Sequence, residues 1–315
     1  MHPAVNASRR GAPDASHRRG AAKRSKRLTQ RRGFWPAVFL APALAGFCAF
    51  TLFPAAASLA LSFTRWNLNT LPKWVGLDNY VNMVSDPTAR KVFWNTVYFT
   101  LVTVPVLLVI PLLLAIALNQ KIPGVRFFRA AYFLPVISSM VAMAMVWQWM
   151  YNADFGLINY VLELLGIDGP KWMTDEHWAM PAVMITSIWK SIGFNMMLFL
   201  AGLQGISSSY YEAAEIDGAN AVHKFWYITL PSLRPTTLFV TVITLINSFQ
   251  VFDQVMVMTG GGPNRSSSVL VHYIYQNGFQ FYRMGYASAL GWALTLFVLL
   301  LTLAQFRLNR SRGME

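Results

Sequence analysis

Three carboxylates, Glu212, Glu215 and Asp217, fall within six residues of a chain in which only 12% of 315 residues are charged. They stand in the run Glu212-Ala213-Ala214-Glu215-Ile216-Asp217-Gly218, and nine residues separate Gly218 from Ile228-Thr229-Leu230-Pro231. Acidic groups beside two small alanines suit docking to basic groups of a protein surface rather than catalysis. A second polar set is dispersed through apolar runs: Ser187, Lys190, Ser191 and Asn195, then Thr244, Asn247, Ser248, Gln250 and Asp253. Polar side chains in lipid are costly and face a cavity or a partner helix. Ser187/Ser191 and Thr244/Ser248 are i,i+4 pairs, each on one helix face. A neutral hydroxyl and amide set beside Trp189 and Phe249 suits a sugar, whose hydroxyls pair with amides and whose ring face stacks on aromatics. Interhelical hydrogen bonding is the alternative for each. Lys190 either snorkels to the interface or pairs with Asp253.

The elements that hold these groups are set by composition. Hydrophobic residues make up 55% and aromatics 14%, and the mean hydropathy is +0.40. Soluble domains average about 25% charged residues, so lipid is the solvent implied. Six apolar stretches are long enough to cross a hydrocarbon core, which takes about 20 helical residues. They are Phe34–Phe63, Val92–Leu118, Phe127–Tyr151, Ala179–Leu203, Thr236–Met258 and Tyr286–Phe306. The first exceeds one straight crossing and tilts or lies partly at an interface. Pro54, Pro105 and Pro111 are tolerable because neighbouring helices satisfy the freed carbonyls. Strand periodicity is absent from these stretches, which argues against a β-barrel. The expected architecture is all-α and polytopic: a basic arm over 1–33, disordered along most of its length, a transmembrane domain over 34–307, and a short cytoplasmic tail over 308–315.

Orientation follows the placement of Lys and Arg. With both termini cytoplasmic, the inside segments carry 18 of the 26 basic residues and the outside segments 7, leaving Lys190 within a span. Ten lie in the arm, which lacks interleaved aromatics and stops at a span. Anchoring against anionic membrane lipid explains it better than nucleic-acid binding. The apolar run that follows far exceeds a signal-peptide core, so an uncleaved anchor is expected. Outside, Trp66–Gly76 and then Leu77 to about Lys91 read as an external segment with a short, weakly amphipathic helix at the interface, Trp66, Trp74 and Tyr80 acting as belt aromatics; contact with an extracytoplasmic partner is the alternative. The loop Asn152–Trp178 holds five carboxylates and one lysine. It should contain a short helix over Ile158–Leu165 ended by Gly166. Its exposed Trp172, Asp175, Glu176 and Trp178 either dock a protein or lie over the membrane. Gly260-Gly261-Gly262-Pro263 must turn, but it lacks the Lys-Ser/Thr of a phosphate-binding loop.

Enzymatic chemistry finds no support. The five histidines, His2, His17, His177, His223 and His272, are scattered, and Cys48 is the single thiol. No cofactor or metal site is expected.

Between the fourth and fifth spans, residues 204–234 form a polar loop. Ser207–Ser209 offer an N-cap with acid in the first turn, and Gly218 a C′ glycine. A second helix over about Ala219–Tyr227 is halted by Leu230-Pro231. The loop's spacing resembles the "EAA" loop of binding-protein-dependent ABC importer permeases, all seven defining positions being present: Glu212, Ala213, Ala214, Gly218, Ile228, Leu230 and Pro231. Trp66-Asn67, Val75-Gly76-Leu77-Asp78-Asn79-Tyr80 and Thr259-Gly260-Gly261-Gly262-Pro263 are similar to the carbohydrate-uptake branch, specifically the maltose/glycerol-3-phosphate type first permease. The resemblance covers roughly 34–307.

The resemblance implies a type I permease fold of six helices with cytoplasmic coupling helices in a bacterial inner or plasma membrane. It also implies a second homologous permease, a cytoplasmic ATPase dimer that holds ATP and Mg, and an extracytoplasmic binding protein that delivers a sugar. The seven loop positions would meet the ATPase. Ser187, Ser191, Phe194, Thr244 and Ser248 fall where the family contacts sugar, and Lys190, Asn195, Asn247 and Gln250 join them as pathway candidates. Glycerol-3-phosphate or another polyol is the alternative cargo, although phosphate would want several cations. A stand-alone secondary transporter would need inverted repeats or broken helices with an ion site, and no convincing pair is visible.

Overall fold

The computed structural model describes residue 36, residues 38–120 and residues 123–311, with side chains through 307. The basic arm over 1–33 and the side chains of the 308–315 tail lie outside the described residues. The chain divides into two compact units, Met1–Ser58 and Leu59–Glu315. Of the first unit, the described part is helical and carries exposed apolar side chains such as Phe39, Phe50 and Phe53. It belongs to α1, Val38–Ser62, which widens into a π-helical turn at Cys48–Leu52. Pro54 follows that turn, and a proline cannot donate to the preceding helical carbonyl, so the ladder is re-registered just ahead of it.

The second unit is a helical bundle. A small ribbon, β1 (Thr64–Arg65) antiparallel to β2 (Lys73–Trp74), opens it. Next come α2 (Asp78–Ser85), α3 (Pro87–Leu118), α4 (Val125–Ile137), α5 (Met140–Met150) and α6 (Leu157–Leu164). After them come α7 (Ala179–Gln204), α8 (Ser208–Ile216) and α9, which starts at Ala221–Lys224 and continues through a π turn, Phe225–Thr229, into Leu230–Ser232. The chain finishes with α10 (Arg234–Phe249), α11 (Asp253–Met258), α12 (Leu270–Tyr275) and α13 (Met284–Ser311).

Among the described residues, five helices are long and apolar enough to cross a membrane. The sixth expected span, Phe127–Tyr151, is not a single rod. It is α4 and α5, bent by 101° between Ile137 and Met140. Pro135 lies one turn upstream and Ser138-Ser139 occupy the break, and proline and serine pairs are ordinary causes of helix kinks. The fifth span is also interrupted, at 250–252, between α10 and α11. Uninterrupted helices are what hydropathy alone implies, because it weighs apolar content and is blind to direction. The second span begins at Pro87, capped by Asp86, whose side chain accepts from the Thr88 amide. The interfacial segment expected to run to about Lys91 therefore ends at Ser85.

Lipid supplies no hydrophobic drive between helices, so close approach by small residues matters. Ala115, Ala144, Ala179, Ala182 and Ala289 are fully buried at such contacts. The tightest is Gly193 of α7, where an added Cβ would collide with the Tyr132 carbonyl of α4. Thr96, Thr103 and Thr186 return their hydroxyls to carbonyls of their own helix four residues back, at 2.7–3.0 Å. That satisfies a hydroxyl inside apolar surroundings without a partner helix.

The loop over 152–178 is less exposed than its composition implies. Trp172 is buried and donates to Asn159 Oδ1 at 2.7 Å, while Trp178 is exposed. Its helix spans Leu157–Leu164, with Gly166 left-handed beyond it at φ +74°.

Candidate functional site

All nine pathway candidates line one cavity of about 450 Å³: Ser187, Lys190, Ser191, Phe194, Asn195, Thr244, Asn247, Ser248 and Gln250. α7 and α10 supply the largest shares of the wall, α3 supplies Phe99, Thr103 and Leu107, and Val136 and Met140 come from the two sides of the α4–α5 break. The second break contributes Gln250, Val251 and Phe252, and Asp253 and Gln254 follow from α11. Both interruptions therefore open onto the same space. Non-helical backbone at membrane depth is tolerated where it lines a cavity.

The floor is a hydrogen-bonded set of buried groups. Asn195 donates to the Leu107 carbonyl at 2.9 Å and to Thr244 Oγ1 at 3.0 Å, which ties α7 to α3 and α10. Ser187 donates to the Val183 carbonyl and accepts from Gln254 Nε2 at 2.8 Å. Ser248 returns its hydroxyl to the Leu245 carbonyl. For Asn195, Thr244 and Ser187 the interhelical alternative is thus realised, although each still faces the cavity.

Above the floor, Ser191, Asn247, Gln250 and Asp253 have no side-chain partner among the described residues, and the last three are exposed. They are the groups available to a solute. Phe194 is 39% exposed at the rim. The aromatics expected beside the cavity are corrected. Phe249 is buried against Phe297, and Trp189 sits edge-on to Trp147. The rings that face the space are Phe99, Phe194 and Phe252. Trp189 adjoins Lys190 and Phe249 adjoins Ser248 in sequence, but both rings point to other sides of their helices.

Lys190 neither snorkels nor pairs with Asp253. Its ammonium donates to the Pro135 carbonyl at 2.9 Å and the Ser138 carbonyl at 2.7 Å. These belong to the last turn and cap of α4, where carbonyls lack helical partners and a cation is favoured. The lysine therefore closes the open end of a broken helix. Gln254 escaped the polar inventory of the fifth span, although it stands one turn beyond Gln250. Thr103 escaped because a single threonine in a long apolar helix carries no signal of its own.

The second set sits on α8 and α9. Ser207 caps α8, accepting from the Ser209 amide. The expected acid in the first turn is absent, because Glu212 lies beyond it. At the other end Gly218 is left-handed at φ +76°. The Ala219 amide donates to the Ala214 carbonyl at 2.8 Å and the Gly218 amide to the Glu215 carbonyl at 3.1 Å, the two bonds of a Schellman cap. α9 starts at Ala221, later than Ala219, because Asn220 caps it by accepting from the His223 amide. It also passes through Leu230-Pro231, with the π turn placed just ahead of the proline.

The elbow is clamped twice. Lys224 forms an ion pair with Glu215, and the Tyr211 hydroxyl meets Thr229 Oγ1 at 2.9 Å. Glu215 is thus spent inside the loop, whereas Glu212 and Asp217 are exposed without partners among the described residues. Glu212, Ala213 and Gly218 are exposed, and Ala214, Ile228, Leu230 and Pro231 are half-buried. Ala214, Gly218 and Ile228 border a groove of about 350 Å³, next to strongly exposed Ile216 and Tyr227. No group of three His, Cys, Asp or Glu that could hold a metal occurs among the described residues.

Residues 84–312 match the model of a family described as binding-protein-dependent transport system inner membrane component. The chain is 36% identical over 282 residues to the arabinooligosaccharides transport system permease protein AraP of Bacillus subtilis, covering 88% of both chains. It is 37% identical over 283 residues to the lactose transport system permease protein LacF of Rhizobium radiobacter, covering 87% of this chain and 94% of that one. Among solved structures, a chain of a bacterial ABC transporter involved in the import of the acidic polysaccharide alginate superposes with a TM-score of 0.80 at 25% identity, over 90% of this chain and 99% of that chain. The helical bundle, its two interrupted spans and the Glu212–Pro231 elbow are therefore those of a transport subunit, and the chain belongs to the binding-protein-dependent transport system inner membrane components.

Proposed function

We propose that the chain is the permease subunit of an ATP-driven importer and that its cargo is a mono- or oligosaccharide passing through the cavity among α3, α7, α10 and α11. The lining of that cavity carries the reading. Its unpartnered groups are a hydroxyl, two amides and a carboxylate, with Phe194 and Phe252 beside them. Neutral donors and acceptors beside aromatic faces match the hydroxyls and apolar ring face of a sugar. Arabinooligosaccharides and lactose, named for two relatives, have that chemistry.

A phosphorylated cargo fits less well. Lys190 is the one cation in the lining, its ammonium already serves two carbonyls, and Asp253 shares the wall. In this reading a second homologous permease completes the pathway and an extracytoplasmic binding protein delivers the sugar. A cytoplasmic ATPase dimer holding ATP and Mg docks on residues 204–234, at Glu212, Ala213, Ala214 and Gly218. Both termini are then cytoplasmic, in keeping with the distribution of basic residues. ATP would act by favouring one state of a bistable pair through differential contacts.

The test uses the purified permease pair with its ATPase, with and without binding protein. Glu212→Lys and Gly218→Pro should abolish stimulated hydrolysis and uptake. If both persist at wild-type levels, the coupling role fails. Calorimetry of the binding protein against a panel of sugars, polyols and glycerol-3-phosphate reads the cargo, and heat with glycerol-3-phosphate alone would overturn the sugar assignment.

A further inference from the structure

We propose that this chain holds one anionic phospholipid where α3 and α13 begin, its phosphate in a cationic cavity and an acyl chain in the apolar groove that continues along the same helices. The cavity, about 580 Å³, is larger than the one described above and shares no residue with it. Arg65, Lys73 and Arg283 line it, together with Trp66, Asn82 and Asp86.

Its depth is fixed by the spans around it. Arg65 lies just past the end of α1, Asp86 directly precedes α3, and Arg283 directly precedes α13. These are the positions where helices leave hydrocarbon, and tryptophan and tyrosine gather at that headgroup level.

The charge there is unbalanced. Arg65 stands directly opposite Lys73 in the ribbon, and like charges in that position repel. Neither they nor Arg283 forms an ion pair among the described residues. Asp86 offsets only one of the three charges: it forms no ion pair with them, its Oδ2 accepting from the Tyr273 hydroxyl at 2.6 Å and the Tyr286 hydroxyl at 2.9 Å and its Oδ1 from the Thr88 amide. The frame is rigid. Asn79 donates to the Ser62 and Thr64 carbonyls, the Met284 amide to the Trp66 carbonyl, and Gly285 lies against the Thr64 carbonyl. Three exposed cations carried on this frame at headgroup depth are complementary to a phosphate.

Below it the lining turns apolar. Tyr286, Leu290, Leu294 and Phe297 form one face of α13, and Asp86, Ala89, Arg90 and Phe93 one face of α3, by their three- and four-residue spacing. The upper members line the cavity, and the lower ones border a groove of about 400 Å³ in which Arg90 is the one charged residue. A polar head over an apolar trough fits a glycerophospholipid, and three unpaired cations select an anionic one.

Native mass spectrometry of the full-length chain, with the subunits that co-purify, tests this against phosphatidylglycerol and phosphatidylcholine of identical acyl chains. Wild type should retain one phosphatidylglycerol, at least about tenfold more tightly than phosphatidylcholine. Each cation near a lipid surface is worth about fivefold, so Arg65→Gln with Lys73→Gln should weaken retention roughly 30-fold. Should that pair fail to assemble, Arg283→Gln alone should give about fivefold. Ala293→Trp, which fills the groove from a half-buried position, should lower retention of both lipids, and Lys171→Glu, a charge change elsewhere, should do nothing. Equal retention of the two lipids, wild-type retention by the glutamine variants, or equal weakening by Lys171→Glu would overturn the site. So would an Ala293→Trp variant that sheds a subunit while keeping its lipid, since the groove would then belong to a neighbouring helix.

Discussion

Replacing Lys190 with methionine keeps an unbranched side chain as far as the ε-carbon and removes the charge and donors. At the bend between α4 and α5 the Ser138 carbonyl then loses the ammonium, and the Pro135 carbonyl is left with the Ser138 amide alone at 3.3 Å. Hydrogen bonds from a charged donor contribute about 1.5–3 kcal/mol each. Lys190 is only partly buried, so roughly half of that sum, about 1.5–3 kcal/mol, is the expected loss after solvent compensation. At about 2–4 °C per kcal/mol for chains of this order of size, the apparent Tm of the purified complex should fall by roughly 3–12 °C. Lys190→Gln can still donate to one carbonyl and should recover about half. Uptake kinetics separate the structural role from a cargo contact: a loosened bend lowers the maximal rate and leaves the concentration dependence unchanged. The reasoning is refuted if Lys190→Met melts within 2 °C of wild type, as an estimate of measurement error about the shift derived above, or if the half-saturating solute concentration rises with no loss of Tm.

Three further outcomes follow from the geometry. Gly193→Ala forces α7 away from the Tyr132 carbonyl and should cost about 1–3 kcal/mol in thermal stability. Gly291→Ala, where nothing lies within 4 Å of an added Cβ, should be neutral or slightly stabilising by comparison. Asn247→Leu should raise the half-saturating sugar concentration about tenfold in uptake assays without moving Tm, because its amide is unpartnered and exposed and one good hydrogen bond is worth about a factor of ten. Burial raises the Asp86 carboxyl, but its phenol and amide donors win and hold it below 3.8. Its contribution to stability is therefore complete above the unfolded value and lost as pH falls through the folded one, so Asp86→Asn should flatten the loss of Tm below about pH 4.

The side chains of the site were far more legible than its backbone. Ser187, Asn195, Thr244 and Ser248 could be picked out because lipid makes any polar group conspicuous, and helical spacing placed them on shared faces. The elbow was legible for a similar reason: Ser207 and Gly218 carry their conformations in their own chemistry. The bend at Ser138-Ser139 was not, since α4 and α5 are both apolar and hydropathy does not register direction. The partner of Lys190 was equally hidden, because a carbonyl left open by a helix end has no residue type. Trp189 and Phe249 stand beside Lys190 and Ser248 along the chain, yet a helix turns successive side chains about 100° apart, so chain neighbours of a lining residue face elsewhere. The β1–β2 ribbon is too short for alternation to show.

Two interrupted helices border the cavity between α7 and α10. The groups that tie its frame together, the Lys190 ammonium on the Pro135 and Ser138 carbonyls and the Asn195 amide on Leu107 and Thr244, are already spent. Ser191, Asn247 and Gln250, which hold up nothing else, are free to drift. A lineage built on this scaffold could therefore change its cargo by exchanging a handful of side chains while its folding problem stays solved.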